Sequence, residues 1–319
     1  MKHKEIIAWC TNLKDYILIS PVKNEELMLP DVADCIIRQT KLPVLWVIID
    51  GNSSDRSLQI AENLASSYRW IFVKKQEHFS NSGGHSNFSM AVWEAYQYLQ
   101  KIASKSEIIY TFVGKLDMDQ TIPPNFFEYL IDKCWEDPRI GVVSGQSYSY
   151  QDSWSDSRSI IRQSLIPDKY PESELPDKRL YRREALDDIG GFPISKYSPD
   201  TVILAKLRMN GWKIRSYPDV WIINLRKDTG IERNYWNSSL QFGKSRYYLG
   251  YHPLLLLMSC GYTLVNFDIT KTIGLFFGYM ISWSKNEEII SDKEIWEYFR
   301  YKRIREIIRQ YLKKVDRLF

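Results

Sequence analysis

In the N-terminal third of the chain, short apolar, β-branched runs alternate with longer stretches of helical period, and turn residues separate them. Residues 16–20, 44–49 and 70–74 read as strands, and residues 25–39, 57–66 and 88–102 as amphipathic helices. This is the pattern of βαβ units wound right-handed around a mostly parallel sheet. A further run at 108–113 makes a strand that leads into Asp117. The carboxyl ends of these strands share one edge, and in open parallel sheets that edge forms the crevice that takes ligands. Asp50 and Asp117 both fall on it.

Downstream, residues 147–177 are polar and weakly periodic, which predicts a long surface excursion of the kind used as a lid. Pattern returns at 181–189, breaks at Gly190-Gly191, and resumes as a helix at 201–209 and strands at 213–216 and 220–225. Residues 254–267 and 272–283 are apolar, each short of the ~20 residues of a spanning helix. The expected division is therefore an α/β domain over 1–248 and a helical region over 249–319. From Arg300 onward eight basic residues face Glu306 and Asp316, so the tail carries +6 of a whole-chain charge of +4. Behind two short apolar helices, such a tail fits a membrane surface, and a helical hairpin packed on the main domain fits equally in kind.

The small overall charge does not announce a nucleic-acid partner. Cys10, Cys35, Cys134 and Cys260 lie far apart, with neither a CxxC pair nor neighbouring histidines, which argues against a zinc site or disulfide framework. With no signal-like apolar stretch in residues 1–9, the expected setting is cytoplasmic, with the inner face of the cell membrane as a peripheral location.

Asp117-Met118-Asp119 carries the clearest chemistry. Two carboxylates one residue apart at a strand end can face one small space, where a hard divalent ion, Mg²⁺ or Mn²⁺, bridges them to phosphate oxygens. An isolated triplet of this kind is more often an acidic turn. Its company is informative: Ser20-Pro21-Val22-Lys23-Asn24-Glu25-Glu26, then Asp50-Gly51-Asn52-Ser53-Ser54-Asp55, then the triplet. In order and spacing this resembles the family 2 glycosyltransferases of GT-A fold, and the likeness extends to Gln39-Thr40, Arg182-Arg183-Glu184-Ala185-Leu186 and Gly190-Gly191-Phe192.

The resemblance implies a Rossmann-like α/β fold with a mixed, mainly parallel sheet flanked by helices, and a C-terminal helical appendage. It implies inverting transfer of a sugar from a nucleoside diphosphate donor, and the basic tail alone adds the expectation of a glycan or lipid-linked acceptor. By position, Pro21, Glu25 and Asp50 would bound the nucleotide pocket, Asp117 would face ribose and diphosphate while sharing the metal, and Asp119 would be the direct metal ligand. Asp200, in Ser198-Pro199-Asp200-Thr201, would be the base that takes the acceptor proton, with a helix N-cap as its plain structural alternative.

Several positions depart from the family pattern. Lys23 stands where an aromatic is common, so it would touch base or phosphate. Asn224-Leu225-Arg226 offers no histidine for the metal, and leaves Arg226 to supply charge to phosphate. Asn87 divides between helix cap and ligand contact, His85 reads as a loop cap, and Arg182 with Arg183 reads as a solvated helix face, or else as a contact to diphosphate or acceptor. Two other functions stay open on these residues: a metal-dependent nucleotidyltransferase, and a non-catalytic subunit that keeps the fold.

Overall fold

A computed structural model describes residues 13–80, 84–153, 162–167, 175, 179–225 and 231–315. The chain divides into two compact units, Met1–Lys227 and Asp228–Phe319.

The first unit opens with β1 (Tyr16–Val22), α1 (Leu29–Ile37), β2 (Leu45–Asp50), α2 (Ser57–Ser67), β3 (Ile71–Lys75), α3 (Gly84–Lys105) and β4 (Phe112–Lys115). These strands pair in parallel in the order β3-β2-β1-β4, as the alternation of strand and helix requires. Every residue of β2 is buried, which explains its unbroken apolar run: helices cover both faces. Each such aliphatic side chain contributes about 1.5–3 kcal/mol relative to exposure. One core, with Leu18, Trp46, Phe126 and Phe127, lies on one face of the sheet. The other, with Ile17, Val47, Tyr96 and Leu207, lies opposite.

The chain continues through β5 (Gln120–Thr121), α4 (Phe126–Glu136), β6 (Ile140–Ser153), β7 (Arg162–Pro167), β8 (Arg179–Arg182), α5 (Arg183–Asp188), α6 (Pro199–Met209) and β9 (Lys213–Asn224). The sheet extends from β4 as β8-β6-β9-β5, with β7 hydrogen-bonded to β6. This half is mixed: β6 and β9 are parallel, the other pairings antiparallel.

Four expectations change. Helix α1 starts at Leu29, not residue 25, because Pro30 suits a first turn and residues 25–28 form the turn before it. The strand expected at 108–113 is β4 at 112–115. The expected structureless excursion at 147–177 contains a hairpin, in which Tyr148 to Ser153 of β6 pair with Pro167 to Arg162 of β7. Alternation in Ser147-Tyr148-Ser149-Tyr150 is the strand period that its polarity concealed. Finally, the two closing strands are one, β9. It bulges against β6 at Gly145, where a Cβ would stand 2.5 Å from the Val220 carbonyl oxygen.

The second unit holds α7 (Ile231–Tyr248), α8 (Pro253–Val265), α9 (Ile269–Ser284), α10 (Lys293–Glu297), a π-helical turn (Tyr298–Lys302) and α11 (Arg303–Val315). α7 and α9 meet backbone to backbone: a Cβ at Gly243 would lie 2.3 Å from Leu275 O, and one at Gly278 2.1 Å from Leu240 O. That packing draws α7 into this unit, so the division falls at residue 227 where the sequence suggested 248. α8 and the turn before α9 present apolar side chains to solvent, with Leu257 57%, Val265 78% and Phe267 91% exposed. Among the described residues, no helix is long and apolar enough to cross a membrane.

Candidate active site

The loops leaving β1 and β2 are stitched together by the residues that make up the sequence motifs. The Asn24 amide donates to Ser53 Oγ at 3.0 Å, and Asn24 Oδ1 accepts from the Ser54 amide at 2.8 Å. The Glu25 amide donates to Ser57 Oγ at 2.7 Å, the Glu26 amide to Asp55 Oδ2 at 3.1 Å, and the Arg56 amide to Glu26 Oε2 at 3.0 Å. Asn24 and Asn52 take positive φ, 56° and 64°, a backbone that asparagine tolerates better than most residues. Asp55 and Ser57 thus brace the two loops against each other.

Asp50 ends β2 only 2% exposed, and its two carboxylate oxygens share the Ser53 amide at 3.3 and 3.2 Å. A cleft of about 640 Å³ opens over this edge, lined by Pro21, Lys23, Glu25, Gly51, Gln76, Asn87, Phe88 and the Asp117-Met118-Asp119 triplet, among others. Pro21, Lys23, Glu25, Asn87, Asp117 and Asp119 are therefore brought together as the sequence suggested, with Asp50 directly before the lining Gly51. Met118 is 1% exposed and packs in the core, and it lines the cleft together with Asp117 and Asp119. The donor set of these two acids is oxygen only, which suits a hard cation such as Mg²⁺ or Mn²⁺. Among the described residues no three His, Cys, Asp or Glu side chains gather as a metal cage, so a cation here would complete its shell from ligand oxygens and water.

Asn87 braces its own loop, since its Oδ1 accepts from the Ser80 amide at 2.6 Å and its carbonyl from Gln76 Nε2 at 2.9 Å. Asn224 hydrogen-bonds Gln120 and donates to Ser149 Oγ at 2.9 Å. The Leu225 amide donates to the Asp119 carbonyl at 2.8 Å, which ties the end of β9 to the triplet. Arg226 lies outside the described residues, as does the His85 side chain.

Asp200 is not the N-cap of α6. Ser198 holds that place, and Asp200 stands in the first turn, where the helix dipole favours an acid. Its Oδ1 accepts from Arg179 Nη1 at 2.9 Å and lies 3.8 Å from Lys115 Nζ, which in turn lies 3.4 Å from Asp117 Oδ1. Beside Asp200 and Lys115 a recess of about 20 Å³, lined also by Phe88, Tyr181 and Pro199, has room for roughly one water. Burial pushes the Tyr181 phenol pKa up, so this hydroxyl stays neutral.

Lys115, Arg179 and Gln76 escaped the sequence reading. A charged residue ending a buried strand was the signal that singled out Asp50, and Lys115 at the end of β4 carries the same one. The paired arginines play other parts. Arg182 is buried on the Ile140 and Cys134 carbonyls and so departs from a solvated helix face, whereas Arg183 lies over Tyr110 and pairs with Asp187 on such a face.

Residues 17–192 match the family described as Glycosyl transferase family 2. The O-antigen chain rhamnosyltransferase RfbN of Salmonella typhimurium is 25% identical over 211 residues, 62% of each chain. Mannosyltransferase PcManGT from Pyrobaculum calidifontis, solved with GDP-Man and Mn²⁺, shares the fold at a TM-score of 0.50 and 18% identity over 73% of this chain and 61% of its own. The chain thus spans less than two thirds of either relative's length. With the family match covering more than half of the sequence, the chain belongs to glycosyl transferase family 2.

Proposed function

We propose that the protein is an inverting glycosyltransferase that moves a sugar from a nucleoside diphosphate donor to a glycan or lipid-linked glycan acceptor in cell-surface polysaccharide synthesis. One observation carries the reading: a single buried ammonium, Lys115, reaches both Asp117 at the cleft and Asp200 on the opposite helix. The donor end and the proton-accepting end of a displacement thereby flank one point.

In this reading Pro21, Lys23, Glu25 and Asp50 bound the nucleotide, and the Asp50 carboxylate accepts from the N–H groups of the base. Asp117 faces ribose and diphosphate, Asp119 holds the divalent metal with help from Asp117, and Arg226 adds charge toward phosphate. A divalent metal held there would supply charge neutralisation for the diphosphate leaving group. Asp200 takes the proton of the acceptor hydroxyl, beside a recess lined by Phe88 and Tyr181. The likeness to an O-antigen chain enzyme supports a cell-surface glycan as acceptor. The exposed apolar face of α8 and α9, together with the basic tail, supports a cytoplasmic enzyme that rests peripherally on the inner face of the cell membrane.

Asp200→Asn tests the catalytic assignment: sugar transfer falls by about 10²–10⁴ while nucleotide binding is kept. Unchanged cellular function in that variant would point to a non-catalytic subunit, and pyrophosphate release from nucleoside triphosphates to a nucleotidyltransferase.

A further inference from the structure

The antiparallel register of β4 and β8 sets Lys115 directly opposite Arg179, and each is only 2% exposed. Two like charges facing each other in the interior repel, and each also loses its hydration. Such a pair persists only where anions lie against both members, and here the anion they share is Asp200. Its Oδ1 receives Arg179 Nη1 at 2.9 Å and lies 3.8 Å from Lys115 Nζ. The cations are themselves held. Arg179 donates from Nη2 to the Leu175 carbonyl at 2.9 Å and from Nη1 to the Tyr181 hydroxyl at 3.4 Å, and the Lys115 ammonium sits 4.7 Å from the centre of the Phe88 ring.

We infer that Lys115 and Arg179 are positioning residues that clamp Oδ1 of Asp200 and so present Oδ2 to the acceptor hydroxyl. The inference rests on reading Asp200 as the base. In the step it serves, the acceptor oxygen bonds to the anomeric carbon and its proton passes to Asp200 Oδ2. The bond from that carbon to the diphosphate oxygen breaks, and its electron pair leaves with the diphosphate. Lys115 and Arg179 exchange no proton. Because Lys115 also lies 3.4 Å from Asp117 Oδ1, it keeps the donor site in register with the base. A hydrogen bond from Arg179 to Oδ1 and the Lys115 ammonium 3.8 Å from the same atom favour one orientation of the carboxylate, which proton transfer during attack requires.

The test uses the full chain with Mn²⁺ and a panel of UDP-, GDP- and dTDP-linked sugars, reading nucleoside diphosphate release with water or glycans as acceptor. Arg179→Gln is expected to lower kcat about 100-fold. Its affinity for the free nucleoside diphosphate with Mn²⁺ stays within about twofold, and added methylguanidine restores roughly tenfold of the rate. In an Asp200→Asn background the same substitution adds nothing, because it acts through Asp200. Lys115→Met lowers kcat and weakens nucleotide binding together, through Asp117. If Arg179→Gln does not fold, Arg179→Lys, which keeps the charge but loses the fork, takes its place in the same comparison. A wild-type kcat, equal losses in both backgrounds, or a rate loss that only follows lost binding would overturn the inference. Wild-type turnover by Asp200→Asn alone would remove the base assignment itself, a result visible without any Arg179 variant.

Discussion

Asp50→Asn separates what the strand end does for the fold from what it does for the ligand. Both Asp50 oxygens accept from one donor, the Ser53 amide, at 3.3 and 3.2 Å. One acceptor oxygen is enough for that bond, and asparagine supplies it. The loop should therefore lose no more than about 0.5–1.5 kcal/mol, the worth of one neutral hydrogen bond. Nucleotide binding is different, because the proposed bond to the base is charge-assisted and is worth about 1.5–3 kcal/mol. At 1.4 kcal/mol per tenfold, this is about a 10- to 150-fold rise in Kd. Titration calorimetry with UDP and GDP in the presence of Mn²⁺, beside thermal unfolding of the same variant, reads the two quantities independently. Unchanged affinity in a folded Asp50→Asn protein would refute the assignment of Asp50 to the base. A loss of affinity no larger than the loss of folded protein would do the same.

Three further outcomes are expected. Gly278→Ala drives a methyl to 2.1 Å from the Leu240 carbonyl oxygen, a backbone neighbour that cannot step aside, so it should destabilise the α7–α9 pair by about 3 kcal/mol. Hydrogen exchange should then show lost protection in α7 and α9 and unchanged protection in β1 to β4. A hydrogen bond from Lys213 holds the Asp137 carboxyl pKa well below the usual carboxylate range. With the folded pKa depressed, its stabilisation is present above the unfolded pKa of about 3.9 and is lost as pH falls through the folded value. The gap in melting temperature between wild type and Asp137→Asn should thus be full near neutrality and close in acid. Finally, the chain should sediment with vesicles rich in anionic lipid and stay in solution beside neutral ones, and Phe267→Asp with Val265→Asp should abolish that sedimentation.

The parallel half of the sheet was legible because β1, β2 and α2 carry period and turn signals that agree with the tertiary answer. The mixed half was harder to read. In α4, Phe126, Phe127, Leu130, Ile131 and Cys134 do recur at helical spacing. That signal begins directly behind the Pro123-Pro124 turn, whose loop character hides its start. β6 runs for 14 residues with serines and two glycines in it, a composition that resembles a loop until its partner strands are known. Within the site, Asp50, Asp117 and Asp119 could be read because each ends or follows a strand on the ligand edge. Arg179 could not, since its importance comes from facing Lys115 across two strands whose pairing no local pattern announces. Arg182 misled for the same reason, as its two carbonyl partners lie on α4 and β6, far away in sequence.

The most direct test of the central claim is calorimetric titration of the full chain with UDP, GDP and other nucleoside diphosphates, with and without Mn²⁺, repeated on Asp119→Asn. The account predicts that one of these nucleotides binds, that Mn²⁺ strengthens its binding at least about tenfold, and that Asp119→Asn removes the gain from the metal while leaving the metal-free affinity in place. Binding of none of them, or an identical response to Mn²⁺ in Asp119→Asn, would contradict it.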